Sequence, residues 1–336
     1  PIKSSAASDV YKRQIPYGSE NIKDLVNYRI VMNFASMASN PYHTTADNIK
    51  KVYLATDGLP QAVMLKGYGN EGHDSANSEY ADIAEREGGV EDFQELIKIA
   101  HDYNTEIGIH VNAQEAYPEA ASFNEEMLQK PFSNGWGWLD QSQVIDKLWD
   151  LSSQARWKRF VQLYDRINGT DFYSRKWPDA VENSLGEVNA TKEEIKKDAE
   201  SREDNMDFIY LDVWYQDAWE TRQIADEINS LGWRFSTEFS AEGEYDSTWQ
   251  HWSTDAAYGG ATSKGYNSDI IRFIRNDQRD SQVLNYPQFG GTADNPLLGG
   301  YRLYGFEGWG GDKDYDNYIL QTFNQNLPTK FLQHYY

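Results

Sequence analysis

The chain has 336 residues and not one cysteine. That absence removes three chemistries at once: a disulfide framework, a thiolate metal site and a thiol nucleophile. It leaves the compartment open, since a cysteine-free chain suits secretion from a Gram-positive cell as well as the cytosol. Long apolar runs are missing too. Nothing approaches the ~20 consecutive apolar residues that span a bilayer, so no membrane insertion is expected. Basic residues are scarce: 31 Lys and Arg stand against 53 Asp and Glu, a formal net charge of −22. Because a polyanion is held by clustered Lys and Arg, no nucleic-acid partner is expected. The acidity reads as the solvated surface of a bacterial or extracellular protein. No fixed-period repeat and no Pro/Ser/Gly-rich linker divides the chain, so one large domain is the economical reading.

Aromatic residues are plentiful by contrast, with 11 Trp, 23 Tyr and 14 Phe in a chain of negative mean hydropathy. So many rings in so polar a chain place some of them near water, and ring faces lining a polar cleft suit the C–H faces of sugars. Residues 1–14 are set aside as a non-native scar, because Asp9-Val10-Tyr11-Lys12-Arg13-Gln14 back-translates to a transposon-end adapter. Native sequence is then expected over residues 15–336, as an internal fragment of a longer protein.

Short apolar runs read as buried parallel strands at Arg29–Ala35, Ala62–Tyr68, Ile107–Asn112, Phe208–Trp214 and Arg234–Phe239. Helical patterns alternate with them, clearest at Val90–Tyr103 and at Ala218–Leu231, the latter closed by Gly232. A charged run, Lys192–Asn205, reads as an exposed helix. Ser268–Asn276 reads as a further helix and Gly300–Phe306 as a late strand. Strand–helix alternation means a parallel sheet with right-handed crossovers. The expected fold is α/β, a (β/α)8 TIM-type barrel with a long lid-bearing insertion after the third strand, from Tyr117 to Phe172. A doubly wound open sheet is the alternative, but no Gly-rich dinucleotide or phosphate turn follows any strand. Within the insertion, Asn134-Gly135-Trp136-Gly137-Trp138-Leu139 sets two Trp among Gly, Asn and Asp, a pattern that favours a mobile lid over a core stripe.

In such a barrel the reacting groups come from the C-terminal ends of strands. Asp212 follows Ile209-Tyr210-Leu211 and Glu238 follows Arg234-Phe235-Ser236-Thr237, 26 residues later, one strand–helix repeat. They are therefore expected on adjacent strands, where two carboxyl groups can stand the ~5–5.5 Å apart that a retaining glycosidase uses. Spacing alone leaves open that one of them is a buried structural carboxylate satisfied by an arginine such as Arg234. His110 and Asn112 end the third strand, and the loop Gly69-Asn70-Glu71-Gly72-His73-Asp74-Ser75 follows the second. Sugar hydroxyls need this mixture of donors and acceptors. A metal held by His73, Asp74 and His110 is the rival reading, without a compact HxH or HExxH pairing behind it.

The ordered segments YGNEGHDSANSEYADI, GIHVNAQEAYPEA, GWGWLDQS, IYLDVWYQDAWETRQIADEINSLGWRFSTEF, NPLLGGYRLYGFEGW and NLPTKFLQHY resemble the catalytic domain of glycoside hydrolase family 101, the endo-α-N-acetylgalactosaminidases. The resemblance spans nearly all of the chain after Tyr68. It implies a retaining, cofactor-free hydrolase that frees Galβ1-3GalNAc from Ser or Thr of mucin-type glycoproteins. It implies that Asp212 in the DVW motif is the nucleophile and that Glu238 is the acid/base. It further implies that His73, Asp74 and His110 bind the disaccharide hydroxyls, that Trp136 and Trp138 form a closing lid, and that Trp252 lines the sugar site. A secreted or cell-surface bacterial protein is the implied setting. Two departures from the family pattern bear on substrate range: a shortened loop after Asp212, and Gly310-Gly311 where a sugar-contacting glutamine is expected. Another α-glycosidase on the same barrel, exo-acting or amylase-like, and a non-catalytic mucin-glycan-binding module are the alternatives.

Overall fold

The computed structural model describes residues 29–32, 41–55, 57–58, 60–70, 72, 75–76, 78–137, 141–181, 186–214, 216–238 and 246–247. In chain order they form β1 (Arg29–Met32), α1 (Tyr42–Ala55), β2 (Gln61–Leu65), α2 (Gly89–Asp102), β3 (Thr105–Asn112), β4 (Glu115–Ala116), β5 (Asn134–Gly137), β6 (Gln141–Val144), α3 (Lys147–Ser153), α4 (Ala155–Asn168), α5 (Lys192–Glu200), β7 (Phe208–Asp212), α6 (Ala218–Ser230) and β8 (Arg234–Thr237). Five strands pair side by side in the order β1-β2-β3-β7-β8, every pairing parallel. All five expected runs therefore contain strands; β3 starts two residues before its run, and β2 stops three residues short of the end of its own. The chain is α/β with a parallel sheet. The expected elements at Ser268–Asn276 and Gly300–Phe306 lie outside the described residues.

β2 and β7 are buried along their whole length, and β3 at every position but Glu106, because helices cover the sheet. α2 inserts Phe93, Leu96, Ile97 and Ala100, spaced as one helical stripe, against this sheet. α6 begins where the Asp217 side chain accepts the Glu220 backbone N–H at 3.1 Å, and it ends before Gly232, whose φ of +78° turns the chain out of the helix. α5 opens with a Thr191–Glu194 capping box and buries only Ile195 and Ala199, the exposed helix expected from its charges, though it stops at Glu200.

β3 and β7 are locked in register by a glycine. Gly108 stands opposite Phe208, and a Cβ on it would lie 2.2 Å from that ring, so only a hydrogen fits where the aromatic side chain crosses. This register sets Asn112 beside Asp212. The next pairing, Leu211 with Thr237, brings Glu238 to the same end of the sheet.

One expectation needs correction: the segment Tyr117–Phe172 is not one insertion. α4 is a crossover helix of the main layer, burying Phe160, Val161, Leu163, Tyr164 and Ile167. Its charges do not mark a solvent face: Arg156 is buried too, paired with Asp150 at 3.0 Å and with Glu227 at 2.8 Å. What is inserted after β3 is a small antiparallel sheet in the order β4-β6-β5, followed by α3. Among the described residues most rings serve the core, including Tyr42, Tyr68, Tyr80, Tyr164, Tyr173, Tyr210, Trp214 and Trp233, while Phe132, Trp136 and Trp219 are exposed. Several buried tyrosines carry hydrogen-bonded hydroxyls, which is how a polar chain accommodates so many of them.

Candidate active site

Tyrosines brace the end of the sheet where the polar residues gather. The Tyr42 hydroxyl donates to the Tyr68 carbonyl at 2.6 Å, Tyr68 to the Tyr80 carbonyl at 2.8 Å, and Tyr80 to the Asn112 carbonyl at 3.5 Å. The loop after β2 is thereby tied to the end of β3.

Side chains two apart on a strand share a face. His110 and Asn112 on β3 therefore face the same way as Tyr210 and Asp212 on β7, and the His110 and Tyr210 rings stack at 5.6 Å. The carboxyl of Asp212, nearly buried, lies with Oδ2 3.2 Å from His110 Nε2. Its other neighbour is the Glu238 side chain. Glu238 is held twice: its N–H donates to the Leu211 carbonyl at 2.9 Å, and its Oε2 accepts the Val213 N–H at 2.9 Å. Val213 reaches that position with φ of +50°, a conformation that β-branched residues avoid. Immediately beyond, the Trp214 indole N–H donates to Thr221 Oγ1 at 2.9 Å and fixes the turn into α6.

Burial pushes the Asp212 carboxyl above the usual aspartate range, and the negative charge of Glu115 adds to it; Lys66 and the hydrogen bond from Glu238 act the other way. Burial also pushes His110 well below the usual histidine range, with Lys66 adding to the effect and Glu238 opposing it. The imidazole is thus neutral, and its contact with Asp212 is not an ion pair. Two carboxyls can hydrogen-bond only if one carries a proton. One carboxylate and one carboxylic acid side by side are the parts that acid/base and nucleophilic chemistry needs.

The small sheet hangs on Glu115, a buried carboxylate on β4. Asn112 is committed to the same turn: its Oδ1 accepts the N–H groups of Gln114 and Glu115 at 3.1 and 3.2 Å, and its Nδ2 donates to Glu115 Oε2 at 2.8 Å. β5 presents Trp136, 55 % exposed, from a strand paired antiparallel with β6, at a register irregularity between Asn134 and Gly137.

The structure therefore brings together Asp212, Glu238, His110 and Asn112, with Trp136 on the adjoining hairpin. His73, Asp74, Trp138 and Trp252 lie outside the described residues. Arg234, offered above as a partner for a structural carboxylate, pairs instead with Glu106, near the start of β3 and away from both Asp212 and Glu238. Among the described residues no group of three or more His, Asp or Glu is placed to hold a metal ion. None of the described helices is long and apolar enough to cross a membrane. Strand ends alone do not point to Lys66, which lies inside the apolar run Ala62–Tyr68 but follows β2, or to Glu115, three residues past Asn112. A carboxylate so soon after a polar strand end was the available signal for the latter.

The family described as endo-alpha-N-acetylgalactosaminidase, Glyco_hydro_101, matches residues 5–319. A relative from Renibacterium salmoninarum, named provisionally as an endo-alpha-N-acetylgalactosaminidase, is 33 % identical over 319 residues, 95 % of this chain. This chain spans 18 % of that relative's length. Among solved structures, the quadruple mutant of the alpha-N-acetylgalactosaminidase NagBb from Bifidobacterium bifidum aligns with a TM-score of 0.54 and 12 % identity, over 80 % of this chain and 44 % of that one. The GalNAc complex of the same protein aligns with a TM-score of 0.50 and 12 % identity, over 72 % and 39 %. At such identity these two speak for the fold alone. With the family matching most of its length and a relative of this identity covering nearly all of it, the chain belongs to glycoside hydrolase family 101, the endo-alpha-N-acetylgalactosaminidases.

Proposed function

We propose that the chain is the catalytic (β/α)8 barrel of a retaining endo-α-N-acetylgalactosaminidase that frees Galβ1-3GalNAc from Ser or Thr of mucin-type glycoproteins, without a cofactor. The observation that carries the reading is that two carboxyl residues, Asp212 and Glu238, end neighbouring parallel strands, with the Glu238 carboxyl bound to the N–H of Val213 directly after Asp212.

In the first step the Asp212 carboxylate attacks the GalNAc anomeric carbon from the β face. The bond to the Ser or Thr oxygen breaks, and Glu238 gives that oxygen its proton. In the second step Glu238, now a carboxylate, takes a proton from water. The water attacks the anomeric carbon from the α face, and the Asp212 ester bond breaks. Lys66 and the Glu238 hydrogen bond counter the burial of Asp212 and so favour its charge. Neutral His110 presents a ring to the same face and, with His73, Asp74 and Trp252, is assigned to the sugar hydroxyls and rings. Trp136 and Trp138 are assigned to closure over the disaccharide. The setting that goes with this substrate is secretion or attachment to a bacterial cell surface.

The test is incubation with an aryl glycoside of Galβ1-3GalNAc, followed by identification of the released sugar and its anomer. Intact disaccharide of α configuration is expected. Free GalNAc or glucose would point to another α-glycosidase, a β-anomer would refute retention, and binding without turnover would leave a glycan-binding module.

A further inference from the structure

Glu115 has no part in the two-step reaction, yet three separate strands converge on it. The residue is 4 % exposed. Oε2 accepts Nδ2 of Asn112, the end of β3, at 2.8 Å. The Ser142 hydroxyl on β6 lies 2.8 Å from the same oxygen and 2.8 Å from the Trp136 carbonyl, so its single proton serves one or the other. Oε1 accepts the backbone N–H of Trp136 on β5 at 3.0 Å. The fit is tight, since a Cβ at Gly135 would stand 2.4 Å from the Glu115 carboxyl carbon and 2.4 Å from Ser142 Oγ.

We infer that Glu115 is a positioning residue, a clasp that fixes the Trp136 hairpin against the strand end beside Asp212 and so sets one wall of the sugar cleft. The inference rests on the reading that Trp136 faces the bound disaccharide. Asn112 is the middle link: it is the register neighbour of Asp212 and spends both ends of its amide on the turn that carries Glu115. A carboxylate suits the place because it accepts on both oxygens, whereas an amide must turn one N–H2 toward a donor.

Glu115→Gln preserves shape and loses that acceptor. Hydrogen exchange at the Trp136 amide is expected to quicken at least tenfold while the β3 and β7 amides stay protected. KM for the core-1 aryl glycoside is expected to rise about tenfold with kcat changed less than threefold. The groups facing Asp212 are His110 from β3, Lys66 after β2, Glu238 after β8 and Glu115 from β4. Removing the Glu115 charge should therefore move the acid limb of kcat/KM to lower pH, a change that a purely structural residue would not cause. Wild-type exchange, KM and acid limb in folded Glu115→Gln would overturn the clasp. If that variant does not fold, Ser142→Ala carries the test: faster Trp136 exchange with raised KM supports the clasp, and wild-type values overturn it. An unmutated chain that hydrolyses nothing would sink the functional reading, and exchange at Trp136 alone would then decide the clasp.

Discussion

Glu238→Gln would separate the proposed proton donation from everything else that Glu238 does. The amide oxygen can still accept the Val213 N–H, now made at 2.9 Å, and the amide N–H2 can donate to Asp212 in place of the carboxyl proton. The folded site should thus survive, and only the transferable proton is lost. General-acid help contributes ~10²–10⁴-fold. At ~1.36 kcal/mol per tenfold, that is about 2.7–5.4 kcal/mol of barrier. The full loss is expected on Ser- or Thr-linked Galβ1-3GalNAc, whose alkoxide leaves only when protonated. On the nitrophenyl glycoside, where the leaving group needs no proton, the first step should slow less than tenfold. Water attack then lacks its base, so a burst of nitrophenol should precede slow turnover. Added azide, which needs no base, should restore turnover and yield the α-glycosyl azide. The assay is stopped-flow release of nitrophenol beside product analysis on glycopeptide, with melting temperature as control. Equal losses on both substrates, or a β-glycosyl azide, would refute the assignment.

Asp212→Asn should abolish turnover while calorimetric affinity for the disaccharide stays within a fewfold, because an amide cannot form the glycosyl ester; near-normal rates would end the nucleophile assignment. In the native site burial raises the Asp212 pKa, so activity should fall as pH drops through a value above the usual aspartate range, readable as the acid limb of kcat/KM. Trp136→Ala should lower kcat/KM about threefold to tenfold, from ~0.5–1.5 kcal/mol of ring contact. Its melting temperature should hardly change, since the ring is 55 % exposed; a large drop in melting temperature with normal kinetics would contradict the lid role. Gly108→Ala forces a Cβ to within 2.2 Å of the Phe208 ring and should cost about 1–3 kcal/mol in urea unfolding, with partial recovery in Gly108→Ala/Phe208→Leu; an unchanged midpoint in the single variant would contradict the register.

Local pattern determined a good deal of this protein. Apolar runs of strand length alternating with helical stripes specify a parallel α/β sheet, and the interval between Asp212 and Glu238 specifies adjacent strand ends, because period and repeat length are properties of consecutive residues. Val90–Tyr103 and Ala218–Leu231 are legible for the same reason, each carrying its own stripe. Tertiary structure alone decided the rest. α4 reads as polar, yet Arg156 is buried, because Asp150 lies one helix away and Glu227 lies 71 residues on. β5 and β6 are short and polar, with no alternation of their own; the hydrogen bonds of the small sheet and the Glu115 carboxylate make them strands. The three groups held by Glu115 come from positions 112, 136 and 142, and Val213 adopts its positive φ beside a carboxyl 25 residues later. Residue order encodes periodicity, whereas the partner of a buried charge depends on which strand ends the fold brings within 3 Å of it.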